Sequence, residues 1–340
     1  MKRFLAVVIS LSVLLGAVAA GFLFYAKSQL FSKRSVKVEI EVKKGETLKG
    51  AAGQVAEVFK VDPKLLYAYA RWAGLKVKQG CYKLKGELSP AEALKELTTG
   101  KPCLKSFTIP PGSDLFLLDK LLSQQGVCKR GELLELSRSK AFLEKLGVPT
   151  LEGYLFPQTY YINREAGCKR AVEVAVGEFK RVVLPLFQNY TPPPLVKRAL
   201  KKVTVEKVLT VASIVEKESS YPPERPLIAA VIYNRLIRGM KVQCDPTVIY
   251  ALKLKGIFKE RLLYRDLKTP SPYNTYYVKG LPPAPICNPS LNSIEAALHP
   301  ANVKYLYFVS NGRGRHLFSK SYNEHLKKVR ALRNGKETGS

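Results

Sequence analysis

Histidine occurs only three times in the 340 residues, as His299, His316 and His325, and these lack metal-ligand spacing on any one helix. Nor do any two of the six cysteines form a C-x-x-C pair, so a zinc site finds little support and no cofactor is expected. Internal repeats and low-complexity tracts are absent, and an apolar fraction of 46% argues against large-scale disorder. Acidic residues are scarce: 27 Asp and Glu stand against 56 Lys and Arg, a formal charge of +29. Such a surplus suits an anionic partner, whether nucleic acid, a membrane surface or an acidic polymer such as a bacterial cell wall. Thermal adaptation is the other source of so many lysines and arginines.

The N-terminus narrows these choices. After Met1-Lys2-Arg3 the run FLAVVISLSVLLGAVAAGFLFYA carries no charge from Phe4 to Ala26, about the 20 residues a helix needs to cross a bilayer. A cleavable signal peptide is the rival, because Ala17-Val18-Ala19 offers small residues at cleavage spacing. The apolar run continues past that site through Tyr25, which favours an uncleaved anchor. With basic residues in the short leading end, that end is expected in the cytoplasm and the bulk of the chain outside it. Nucleic acid is then excluded as a partner.

For an exported chain, the even number of cysteines (Cys81, Cys103, Cys128, Cys168, Cys244, Cys287) reads as disulfides, with buried free thiols the alternative. Sequence does not determine the connectivity. Pairing of chain neighbours, 81 with 103, 128 with 168 and 244 with 287, is the simplest scheme.

Beyond the apolar run, Val36, Val38, Ile40 and Val42 alternate with charged residues, the period of a half-buried strand. Helical stretches follow at 48–59 and 65–72, then a short strand near Cys81 and a helix begun by Ser89-Pro90 with Glu92, a capping arrangement. Pro-Pro-Gly near residue 107 marks a boundary. Helices are predicted over 114–125, 129–138, 170–187, 205–218 and 226–238, with Pro192 to Pro194 breaking the chain between two of them. From Asp245 onward, dense Pro, Gly and Tyr suit an irregular surface lining a cleft; near the end YLYFVS reads as a strand and NGRGR as a hairpin turn.

Two carboxylates stand out in SIVEKESS, residues 213–220. On a helix, positions two apart point roughly 200° away from each other, so Glu216 and Glu218 cannot serve one cleft together. Val211, Ile214 and Val215 should pack inward, and Glu218 falls where Ser219, Ser220, Tyr221 and Pro222-Pro223 end the helix. The negative end of the helix dipole favours a protonated carboxyl, the state a general acid needs. Paired surface glutamates are the bland alternative. Amides, hydroxyls and tyrosines gather downstream: Asn234, Gln243, Asp245 and Thr247, then Tyr273, Asn274 and Tyr276. They could grip a neutral, hydroxyl-rich glycan, or simply cap turns and helices.

The blocks LEGYLFPQTY, ASIVEKES, YNRLIRGMKVQCDPTVIYAL, SPYNTYYVKGLPPAPICNP and AALHPANVKYLYFVSNGRGRHLFSKSYNEH together resemble the endolytic murein transglycosylases of the MltG/YceG-like family, from the anchor to about residue 328. The resemblance implies an α+β chain: a cytoplasmic tip and transmembrane anchor (1–31), a small LysM-like subdomain (36–106), a mixed α/β catalytic subdomain (107–330) and a basic tail (331–340). It also implies a single-pass protein of the inner membrane whose catalytic part lies in the periplasm. Its substrate would be the glycan strands of peptidoglycan, and glycan-polymerising synthases would be its partners. The family's catalytic glutamate is the second of the E-K-E pair and falls on Glu218, followed by Ser219. Two positions depart from the family pattern. Gln158 stands where F-P-D-T-Y has aspartate, which puts in doubt an essential acid there. Cys244 stands where Q-T-D-P has threonine, which is compatible with an added Cys244–Cys287 crosslink beside the cleft.

The implied reaction needs one carboxyl group where ordinary glycosidases need two. Glu218 would protonate the oxygen between N-acetylmuramic acid and N-acetylglucosamine, then take the proton of the muramoyl C6 hydroxyl as that oxygen closes onto C1. The expected products are 1,6-anhydro ends, and the expected role is to terminate nascent strands. Ser219, Asn234, Gln243, Asp245, Thr247, Tyr273, Asn274 and Tyr276 would hold the sugars or orient Glu218. A wall-binding scaffold without catalysis is one rival. A lysozyme-like hydrolase is another, with Asp245 the nearest second carboxylate.

Overall fold

A computed structural model describes residues 2–43, 45–100, 103–259 and 261–337. The chain divides into two compact units, residues 1–105 with 163–165, and residues 106–162 with 166–340.

The first unit opens with α1 (Lys2–Phe31), continuous through Ala17–Ala19, whose stretch Ile9–Phe31 is long and apolar enough to cross a membrane. Its large side chains from Ile9 to Phe24 are open to the surroundings, the state of a helix that hydrocarbon rather than protein would cover. Strand β1 (Arg34–Val42), helices α2 (Leu48–Phe59) and α3 (Pro63–Trp72), strand β2 (Gly80–Leu88) and helix α4 (Pro90–Glu96) follow. β1 and β2 pair antiparallel from Arg34–Leu88 to Val42–Gly80, and their alternation sends Ile40, Val42, Tyr82 and Leu84 into a small core with Val55, Phe59, Leu66 and Leu94. Local signals set the helix starts. Thr47 and Asp62 cap α2 and α3, and Ser89 with Glu92 forms the expected capping box of α4. Cys81 and Cys103 are joined, as the simplest pairing scheme has it.

The second unit is dominated by helices. Strand β3 (Leu104–Thr108) enters it and pairs with β4 (Thr159–Asn163), with Phe107 stacked on Tyr160 at 5.1 Å. Between them lie α5 (Leu115–Gln124), α6 (Glu132–Arg138) and α7 (Lys140–Leu146), the last unannounced by any pattern read from the sequence. Then come α8 (Cys168–Val182), α9 (Pro194–Leu200), α10 (Val205–Glu218), α11 (Arg225–Ile237), α12 (Asp245–Leu254) and α13 (Leu291–Leu298). An antiparallel ribbon of β5 (Tyr307–Ser310) and β6 (His316–Ser319), turning at the expected NGRGR, precedes α14 (Tyr322–Glu337). The described strands form two-stranded ribbons only, so this unit mixes helix and strand as expected, with the helices dominant. Disulfide Cys128–Cys168 ties the α5–α6 loop to the start of α8.

Helix α10 is the axis of this core. Thr204 caps it, and every residue from Val208 to Val215 is buried against its neighbours, above all α13, α11 and α12. Burying each Val, Leu or Ile there contributes about 1.5–3 kcal/mol, so its last turn rests on a rigid support. Two sequence readings need correction here. The segment from Asp245 is helical, because Pro246 suits a first helical turn; the irregular stretch begins only after Leu254. Cys244 and Cys287 remain free thiols, each directed elsewhere: Sγ of Cys287 lies 3.3 Å from the Ser213 carbonyl, and that of Cys244 lies 3.8 Å from the Val242 carbonyl.

Candidate active site

The end of α10 fans three side chains apart. Glu216 turns into protein: its Oε1 accepts from Arg225 Nη2 at 3.2 Å, and its Oε2 accepts from the Ser290 backbone N–H at 2.9 Å and from Ser290 Oγ at 2.5 Å. Arg225 also donates to Ser290 Oγ at 2.8 Å, closing a ring that binds α10, α11 and the N-terminus of α13. Lys217 reaches the Gly112 carbonyl at 3.2 Å. Glu218, on the other side, is the last residue of the helix and enters neither network. The opposition read from helical spacing therefore holds, and Glu216 is the structural member of the pair.

Glu218 keeps partial solvent access while its carboxyl lies among packed groups. Burial pushes its pKa up to about 7. The nearby Cys244 thiol opposes the rise; the Asp245 charge adds to it, and the Arg235 guanidinium opposes it. The direction is that expected from the helix terminus, but desolvation is the leading cause. The carboxyl is thus poised near neutrality, able to give a proton and take one back.

Around it stand residues from four segments. Asp245 begins α12, is exposed, and accepts from the Tyr276 hydroxyl at 2.7 Å. Arg235 of α11 is buried and anchored by the carbonyls of Leu306 (2.6 Å) and Val242 (2.7 Å), with Tyr307 5.1 Å from its guanidinium. Gln243 is exposed, 3.5 Å from Arg235 through its amide oxygen. Its φ of +53° is a left-handed conformation that a side-chain-bearing residue rarely adopts, and such strain persists where the surroundings impose it. The β5–β6 ribbon flanks the same helix end. Glu224 accepts from the His316 backbone N–H at 3.1 Å and pairs with its Nδ1 at 2.8 Å, and Arg315 lies 4.6 Å over the Tyr221 ring.

The expected site residues thus divide. Glu218, Asp245, Tyr276 and Gln243 come together. Ser219 is buried and spends its hydroxyl on the backbone of Tyr221 at 2.9 and 3.2 Å. Asn234 donates to the carbonyls of Val303 and Tyr305 at 2.8 and 3.0 Å, fixing the approach to β5. Asn274, fully buried, donates to Leu267 and Thr269 carbonyls and accepts from the Tyr276 N–H, which locks the loop that presents Tyr276. Thr247 is buried against Thr275, and Tyr273 packs on Tyr250 at 5.1 Å. These five build the wall and do not line it with free polar groups. Gln158 is exposed and hydrogen-bonds Glu178, a peripheral task that needs no acid.

Arg235 and the Cys244 thiol were missed by sequence reasoning, although both lie in the block that holds Asn234 and Asp245. A basic residue between Tyr233 and Leu236, inside an apolar helix, was the available signal for Arg235. Among the described residues no cluster of three or more His, Cys, Asp or Glu could hold a metal ion.

A fold of this kind, with one poised glutamate at the end of a buried helix, can be set beside known proteins. The YceG-like family matches residues 40–331, and the chain belongs to that family. It is 30% identical over 333 residues to a protein named endolytic murein transglycosylase from Bacillus subtilis strain 168, covering 91% of this chain and 89% of that one. A Streptococcus pneumoniae D39 protein of the same name is 29% identical over 369 residues, 95% of this chain and 64% of its own length. A crystal structure of a YceG-like protein from Listeria monocytogenes superposes with a TM-score of 0.57 at 30% identity, covering 86% of this chain and 99% of that one.

Proposed function

We propose that the chain is an endolytic murein transglycosylase that cleaves the glycan strands of peptidoglycan without water, using Glu218 as its one proton carrier. The observation that carries this reading is Glu218, a partly exposed residue whose packed carboxyl has its pKa at about 7, beside a second glutamate fully committed to structure. The relatives' names, spread over most of the chain, supply the substrate class.

In the reaction, protonated Glu218 gives its proton to the oxygen linking N-acetylmuramic acid to N-acetylglucosamine, and the bond from C1 to that oxygen breaks. The muramoyl C6 oxygen bonds to C1, and its proton passes to the Glu218 carboxylate, which is thereby restored. Tethering the nucleophile to the reacting ring replaces a second catalytic carboxylate. Arg235 and the Cys244 thiol stabilise the carboxylate between the two transfers; Asp245 favours the protonated start. Tyr276 and Gln243 are the polar groups offered to the sugars.

Export of both units is supported by two disulfides, which persist in oxidising compartments. The span at 9–31 would anchor the protein in the inner membrane, and the strand–helix–helix–strand unit after it is read as LysM-like, a second hold on the glycan. Termination of nascent strands and contact with glycan-polymerising synthases follow from that placement.

Hydrolysis is the second reading, because Asp245 lies close enough to Glu218 to shift its pKa and remains exposed. The mass of the products decides between them. Incubation of intact sacculi with the full-length protein in detergent should yield fragments ending in anhydro sugars; fragments heavier by one water would replace this reading with a lysozyme-like one.

A further inference from the structure

Helix α12 leads away from the site into a loop that holds apolar side chains out of the protein. Leu254, Ile257 and Leu263 are each about half exposed, Phe258 is 64% exposed and Tyr264 79%. Specific bonds hold the loop in this shape. Gly256 ends α12 with a φ of +76°, and the Ile257 N–H returns to the Leu252 carbonyl at 3.0 Å. Buried Asp266 closes the other end: its carboxylate accepts from Lys259 Nζ at 2.8 Å through both oxygens, and from the Leu263 N–H at 2.7 Å. Phe258 stands edge-on to Phe116, with 5.7 Å between ring centres. Apolar surface held out in this way marks a contact site for a partner or a membrane.

Charge chooses the partner. Segment 253–268 carries six Lys and Arg against Glu260 and Asp266. Lys253 is paired with Asp114 and Lys259 with Asp266, while Lys255, Arg261, Arg265 and Lys268 are exposed. Lys268 lies 5.5 Å over the Tyr264 ring, so cation and apolar ring share one surface. A second copy of this chain would bring a like-charged rim against it, which opposes association. A glycan would stack on rings, yet three of these five side chains are aliphatic. A lipid surface of negative charge satisfies both features: its acyl region takes the apolar side chains and its phosphates take the cations. The apolar stretch of α1, long enough to cross a membrane, brings such a surface within reach of the chain.

We propose that this loop is a second membrane contact, in which the five apolar side chains enter the headgroup region of an anionic bilayer and the exposed cations pair with lipid phosphates. The proposal rests on reading α1 as an anchor and is independent of the chemistry assigned to Glu218. Its consequence for the site is one of height. Asp245 opens α12 and Leu254 closes it, about 15 Å of helix, so the docked loop holds the site at a fixed distance from the lipid surface.

The test uses the full-length protein reconstituted in vesicles. Trp72 is the single tryptophan, so Trp72→Phe combined with Phe258→Trp reports on the loop alone. Emission from position 258 should be quenched by brominated acyl chains in vesicles containing phosphatidylglycerol, and much less in brominated phosphatidylcholine, which has no net charge. Adding Lys255→Gln, Arg261→Gln and Arg265→Gln should release the loop, each lost cation lowering the ratio of docked to free by about five-fold. Flotation with the vesicles in high salt reports the anchor separately. Protein that floats without quenching keeps its anchor and overturns the docking; protein that does not float overturns the anchor reading and the docking with it. Equal quenching in neutral and anionic vesicles, or quenching unchanged by the three glutamines, would overturn the assignment to anionic lipid. An emission shift caused by murein fragments in detergent and not by anionic vesicles would give the loop to the glycan instead. If Phe258→Trp does not fold, Tyr264→Trp, at a more exposed position, carries the same test.

Discussion

Removing Glu216 separates structural from catalytic carboxylates within one helix turn. Its side chain is 7% exposed and that of Arg225 10%, so Glu216→Ala strands a guanidinium that already has an unpartnered Nε. It also takes the acceptor from the Ser290 N–H and hydroxyl. Breaking a buried pair from one side costs about 3–5 kcal/mol. For a unit of this size, each kcal/mol lowers the melting temperature by about 2–4 °C. A fall of roughly 6–20 °C is therefore expected by thermal unfolding of the full-length protein in detergent, with Glu216→Gln intermediate because its amide oxygen can still accept from Ser290. Activity per folded molecule, measured well below the transition, should stay within a few-fold of wild type. An unchanged melting temperature would refute the structural assignment, and a loss of activity like that of Glu218→Gln at unchanged stability would refute the division of labour.

Glu152 is fully buried, and burial pushes its carboxyl up to about 8 despite hydrogen bonds from the Leu115 N–H and Tyr250 hydroxyl. Between its ordinary range and that value the folded state holds a proton that the unfolded chain has released, so stability should fall as pH rises. The stability of Glu152→Gln relative to wild type should then grow by up to about 1.4 kcal/mol per pH unit across that window, read from unfolding at a series of pH values; a pH-independent difference would contradict it. Replacing Cys128 and Cys168 by serine opens a crosslink between residues 40 apart in sequence. On the chain-entropy account this should cost about 4 kcal/mol, and reductant should lower the wild-type melting temperature towards that of the variant. Gly153 has a φ of +86°, and a Cβ there would lie 2.6 Å from Pro285. Gly153→Ala should accordingly yield little folded protein, judged by recovery after size-exclusion chromatography.

Local signals were legible in the sequence wherever one residue type sufficed. The alternation of Val36 to Val42, the Ser89–Glu92 box and the opposed directions of Glu216 and Glu218 all follow from short-range geometry. The partners of the polar residues were not legible, because they come from distant segments. Asn234 looks like a ligand-gripping amide until the carbonyls of Val303 and Tyr305 are seen to occupy it, and Asn274 likewise locks its own loop. Cys244 illustrates the reverse. An even cysteine count suggested a crosslink with Cys287, whereas the fold buries both as free thiols, that of Cys244 on the Val242 carbonyl and that of Cys287 on the Ser213 carbonyl.

The central claim is that a single carboxyl, at the end of α10, handles both proton transfers. Its most direct test is analysis of the fragments released from purified sacculi by full-length wild type and by Glu218→Gln, a change that keeps the size of the side chain and removes the titrating group. Anhydro-sugar ends should accumulate with wild type and fall by roughly 10²-fold or more with the variant, at an unchanged melting profile. Anhydro ends released by the variant at the wild-type rate would contradict the account.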